Sequence, residues 1–114
     1  MFSYYRLHDK AYFQIIRQAD NFIEFKSLNT GHCWIIQRKE YCDENRYWLY
    51  HKHNFTDPYY HLHDKVVNVP RAVGRIRYHD FNTIKRENKK RKKQWCLFLS
   101  FVLCITTFRE LFQC

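Results

Sequence analysis

Glycine and proline are almost missing from this chain, with two of each in 114 residues. That scarcity excludes collagen-like and low-complexity sequences, and nine Tyr, ten Phe and three Trp exclude a disordered one. No C-x-x-C pair occurs among the five cysteines, and the first ten residues carry charge where a secretory leader needs an apolar run. The expectation is a cytoplasmic protein with reduced thiols, in which Cys33, beside Trp34 in an apolar run, is a small core residue.

Catalytic signatures are missing too. There is no nucleophile elbow, no P-loop and no dinucleotide-binding glycine pattern. Cys33 or Cys42 beside a histidine imitates a nucleophile pair only by composition. The pairs His8-Asp9, His63-Asp64 and His79-Asp80 do not make a helical metal-hydrolase site, which needs several ligands on an all-helical scaffold. The sequence therefore predicts a non-enzymatic binding protein, with no small-molecule substrate or resident cofactor indicated and no information on oligomeric state.

What is present divides by kind. Residues 1–84 carry twelve Lys/Arg against nine Asp/Glu, whereas residues 85–94 carry seven against one. Most of the net charge of +9 thus belongs to one short segment. Residues 95–108 hold no charge at all. The expected organisation is a small α+β domain over 1–84, a polybasic linker over 85–94 and an apolar tail or helix over 95–114.

Within the first part, strands are expected at 12–16, 22–28, 32–37, 46–53 and 59–63, forming an antiparallel meander of four to five strands. Asn29-Thr30-Gly31 supplies the hairpin turn between the second and third, since Asn and Gly tolerate positive φ. The period then changes. Asn68 is placed to cap a helix with Pro70 in its first turn, and Val69, Ala72, Val73 and Ile76 make an apolar stripe for the sheet. Arg71, Arg75 and Tyr78 fall on the opposite face, and the helix is expected to end near His79 or Asp80.

Three binding readings follow. In the first, Lys85, Arg86, Lys89, Lys90, Arg91, Lys92 and Lys93 attract an anionic cytoplasmic membrane face while the apolar run enters it, peripherally or as a tail anchor. Fourteen helical residues span about 21 Å against a hydrocarbon core of about 30 Å, so spanning is marginal. The same run could instead pack in the core, mediate an oligomer contact, or be a reading-frame extension without an evolved role. In the second reading the same cations, joined by Arg71, Arg75 and Arg77, follow a nucleic-acid backbone. The third rests on His51, His53, His61 and His63. Residues two apart on a strand share a face, so pairing His53 with His61 and His51 with His63 would gather four imidazoles for a transition metal or a charge switch near pH 6.5. Asp57 and Asp64 would orient the rings, and Trp48, Tyr50, Tyr60 and Leu62 would face the core.

Overall fold

The computed structural model describes residues 9–41 and 44–112, with side chains described as far as residue 102. His8, Cys42 and Cys114, and the side chains of Cys104, Arg109 and Glu110, lie outside that range. Five strands, β1 (Phe13–Gln18), β2 (Phe22–Ser27), β3 (Cys33–Arg38), β4 (Tyr47–Lys52) and β5 (His61–Val66), precede one helix, α1 (Val69–Phe112). The strands pair in chain order as an antiparallel meander, so the fold is α+β as the sequence predicts. The chain divides into two compact units, Met1–Phe81 and Asn82–Cys114.

Strand alternation sets the core of the first unit. Ile23 and Phe25 on β2, Trp34 and Ile36 on β3 and Leu49 on β4 share one buried face with Val66. The helix lays Val69, Ala72, Val73 and Ile76 into the same cluster, the i, i+3, i+4, i+7 stripe read from the sequence. Trp34, the largest buried side chain, also buries its indole N–H; the cost is offset because Nε1 donates to Ser27 Oγ at 3.1 Å. Phe13 and Phe25 meet edge to face at 5.2 Å. Cys33 is buried, as expected.

The turns follow their residue chemistry. Gly31 has φ of +76°, the left-handed conformation that glycine adopts without a Cβ clash. Asn68 Oδ1 accepts from the Arg71 N–H at 2.9 Å, capping α1. Arg71, Arg75 and Tyr78 are exposed on the far side of the stripe.

Two expectations are corrected. The helix does not stop near residue 80 but continues to Phe112. After Gly74 no Gly or Pro interrupts the chain, and Lys, Arg, Gln and Leu are good helix formers. Like-charge neighbours on a helix cost only about 0.2–0.5 kcal/mol per pair, too little to break it. The polybasic segment 85–94 is therefore part of the helix. The second correction concerns faces. Leu49 and His51 point to the core, while Trp48, Tyr50 and Tyr60 are only half-buried and Leu62 is exposed. Lys39 and Lys65 lie over the Trp48 ring at 4.7 and 4.2 Å, and Lys52 over Tyr60 at 4.6 Å. Cationic stems and heads thus cover these rings on the outer face, and no core position is needed. On that face Glu24 accepts from Tyr60 Oη at 2.7 Å and from Arg17 Nε at 2.8 Å.

A buried carboxylate ties the helix to the sheet. Asp80 is fully buried; it accepts from Tyr12 Oη at 2.7 Å and from Thr30 Oγ1 at 3.0 Å. Burial, reinforced by the Asp80 hydrogen bond, pushes the Tyr12 phenol up to about 12. Removing the acceptor strands two hydroxyls. Asp80→Ala is expected to lower the unfolding free energy by about 3 kcal/mol and Asp80→Asn by less, as read from urea melts followed by circular dichroism.

Candidate functional site

The side chains singled out from the sequence fall into two groups, one in each unit. In the second unit Lys85, Arg86, Lys89, Lys90, Arg91, Lys92 and Lys93 are all exposed on α1, and among the described residues no carboxylate pairs with any of them. Directly after them Trp95, Leu97, Phe98, Leu99, Phe101 and Val102 are exposed as well. At 3.6 residues per turn these six cover an arc of roughly 200°. On the remaining side the Ser100 hydroxyl donates to the Cys96 carbonyl at 3.0 Å, so its polarity is satisfied within the helix. None of the described helices is long and apolar enough to cross a membrane.

The arginines of the first unit are differently placed. Arg75 Nε pairs with Asp64 at 3.2 Å, and Arg77 pairs with Asp9 at 3.4 Å while lying over the Tyr12 ring at 4.4 Å. These two have carboxylate partners within their own unit; Arg71 remains an exposed cation near the capped end.

The histidines are where the structure departs most from expectation. His51 pairs across the strands with His61, not with His63: the register already stands one residue from the expected pairing at Leu49–Asp64, and a bulge between Leu49 and Tyr50 shifts it by one more. Such a bulge sets two residues against one on the partner strand. It brings both His63 and Asp64 towards the helix: the His63 ring lies 5.2 Å from that of His79, and Asp64 meets Arg75. The helix-facing side also gathers two histidines that the hairpin reading missed. His32 precedes β3, two residues before Trp34 on the same alternation, and His79 follows Ile76 by three on the helical stripe.

Contacts between the rings are close. His32 Nδ1 stands 2.9 Å from His51 Nε2, and His51 Nδ1 stands 3.4 Å from His61 Nε2. His53, although exposed, puts its ring 4.8 Å from His32 and 5.0 Å from His51. Two triads have ligand atoms within 4.8 Å of one another: His32, His51 and His79, and His51, His61 and His63. Three of the four histidines named from the sequence thus come together, and His53 flanks them.

The electrostatics keep the centre of the cluster neutral. Burial first, and then the neighbouring His79, His32, His53 and His61, hold His51 down at about 3. Burial also lowers His63, against the opposing pull of Asp64. His51 is therefore no charge switch near pH 6.5; it presents lone pairs across the physiological range. Neither aspartate named from the sequence hydrogen-bonds a ring among the described residues. Asp57 Oδ2 accepts from the Asn54 N–H at 3.1 Å and holds the turn, and Asp64 is engaged with Arg75. Burial raises the Cys33 thiol, the reverse of what a nucleophile needs.

The chain matches no protein-family model, no curated protein and no solved structure. Its chemistry has to be read from these two groups of side chains.

The depressed His51 value has a thermodynamic consequence. The unfolded chain takes up a proton near pH 6.5 and the folded chain only near 3, so stability is present above 6.5 and is lost as pH falls through that window. Between pH 6.5 and 5 the loss from this group is expected to be about 1.5 kcal/mol. Denaturant melts in chelator-treated buffer should show that slope, and His51→Gln should flatten it.

Proposed function

We propose that the protein docks on anionic membrane surfaces through residues 85–102 of α1. The observation that supports this reading is the direct succession, on one continuous helix, of unpaired exposed cations and a wide exposed apolar arc. A single packing neighbour covers a stripe little more than 100° wide. An arc of roughly 200° is better matched by a medium than by one partner helix, and a lipid interface is such a medium.

The two parts act on different components of the bilayer. Each Lys or Arg near an anionic leaflet contributes about 1 kcal/mol, screened within a Debye length. Trp95, at the junction of cations and apolar residues, stands where an indole suits the headgroup boundary. The apolar side chains beyond it enter the outer acyl region, about 5–10 Å deep, without the helix having to cross. Burying their surface adds roughly 25 cal/mol per Å².

Nucleic acid would also attract the cations, but a phosphate backbone offers nothing for Leu97, Phe98 and Phe101. With Arg75 and Arg77 paired internally, the arginines of the first unit add little to a phosphate-binding surface.

Flotation of the full chain with vesicles decides the matter. Binding to phosphatidylserine-containing vesicles is expected to exceed binding to pure phosphatidylcholine by tenfold or more. Neutralising Lys89, Lys90, Lys92 and Lys93 to Gln should remove that preference, and a Leu97→Ser, Phe98→Ser, Phe101→Ser triple variant should weaken binding tenfold even at low salt. Vesicle binding indifferent to the triple variant would defeat the proposal. So would salt-sensitive binding to duplex DNA with no retention on vesicles, which would hand the cations to the nucleic-acid reading.

A further inference from the structure

We infer that His32, His51 and His79 form a binding site for a divalent transition-metal ion of the zinc class, with His61 orienting the central ligand. Three separate parts of the first unit supply the triad: the end of the β2–β3 turn, the last residues of β4 and the helix. Their sequence spacing shows no metal motif; the fold brings them together, with ligand atoms within 4.8 Å of one another. His51 is 1% exposed and His32 7%, so two of the three donors are shielded from competing water.

The distances suit coordination after small side-chain rotations. Tetrahedral zinc with bonds of about 2.0–2.1 Å separates its nitrogen ligands by about 3.4 Å. The His32 Nδ1 to His51 Nε2 separation of 2.9 Å opens by a few tenths of an ångström, and the third donor closes in. An all-imidazole donor set suits zinc, nickel or copper(II) rather than calcium or magnesium. Three protein ligands leave a fourth position, towards the exposed side where His53 stands, for water or for His53 itself.

Burial selects this triad over the outer one, since either His51 nitrogen can coordinate while the other meets a neighbouring ring. When His51 coordinates through Nε2, its proton must sit on Nδ1, and Nδ1 points at His61 Nε2 at 3.4 Å. That is the arrangement in which a metal-bound histidine donates its other N–H to a fixed acceptor. Were His51 to coordinate through Nδ1, its partners would be His61 and His63, both exposed on the edge strand β5 and open to solvent.

The inner triad is also the better held. Thr30 Oγ1 donates to Asp80 and accepts from the His32 N–H at 3.2 Å. One hydroxyl therefore links the backbone carrying His32 to the helical turn carrying His79. The ligands sit on a frame fixed before any ion arrives, which is what a precise site requires.

The test uses untagged full-length protein, stripped with chelator and titrated at pH 7.5 with Co²⁺ and then Zn²⁺. One equivalent of cobalt should bind with the visible absorption of a tetrahedral ion, and zinc should displace it and raise Tm. His79→Gln and His32→Asn are each expected to weaken binding 100-fold or more, His61→Gln by 10- to 100-fold, and His63→Gln by no more than threefold. Circular dichroism of the metal-free variants confirms that they fold; should His51→Gln fail to, His79→Gln and His32→Asn decide the question. Less than half an equivalent bound, or equal losses for His63→Gln and His79→Gln, would overturn the assignment.

Discussion

A single buried carboxylate fixes how helix and sheet meet in the first unit. Asp80 has no exposed surface, and the cost of burying its charge is offset by donors from two remote parts of the chain, Tyr12 and Thr30. An apolar stripe allows a helix to slide or rotate by a residue at modest cost, because Val, Ala and Ile are similar in shape. A carboxylate with two fixed donors does not allow this. The register of α1 on the sheet, and with it the position of His79, depends on that contact more than on the apolar burial around it. The same hydroxyl that satisfies Asp80 also braces the turn carrying His32. The polar clamp thus determines the geometry of the histidines beside it.

Placing an imidazole at the centre of a small core needs an explanation in terms of its partners. His51 occupies a position that alternation assigns to an apolar residue, one step from Leu49 and opposite Trp34. It is tolerated there because both ring nitrogens meet other rings, His32 on one side and His61 on the other. The chain of nitrogens runs from the buried turn to the exposed edge strand. Charging the middle ring is opposed first by burial and then by the other imidazoles around it. Neutrality at the centre is a result of packing, and it leaves lone pairs available.

Much of the fold was legible in the residues because its signals are local. Asn29-Thr30-Gly31 specifies a hairpin by backbone conformation, Asn68 and Pro70 specify a helix start by capping, and the 69, 72, 73, 76 stripe specifies the packed face. The histidine face was misread for a non-local reason. The β4–β5 register stands one residue from the expected pairing even at Leu49, a bulge opposite Leu49 and Tyr50 moves it by another, and no residue in the turn announces either. Trp48 and Tyr60 look like core residues until the lysines that cover them are known, and those lysines come from other strands and loops. His32 and His79 did carry a signal: each lies on the alternation or stripe of a residue already assigned to the core. The helix end was misjudged because a run of like charge reads as a linker, although nothing in it stops a helix.

The distribution of cations bears on both sites. In the first unit Lys39, Lys52 and Lys65 spend their charge on aromatic faces, and Arg17, Arg75 and Arg77 on carboxylates. A net charge of +9 would suggest a protein that is sticky for anions throughout. The contacts say otherwise, because a cation already paired must lose that partner before it can serve another. The unpaired cations of the second unit carry no such penalty, and they adjoin the exposed apolar arc. Net charge therefore says less about where an anionic surface would bind than the inventory of unpaired charges does, and in this chain that inventory falls chiefly on residues 85–93.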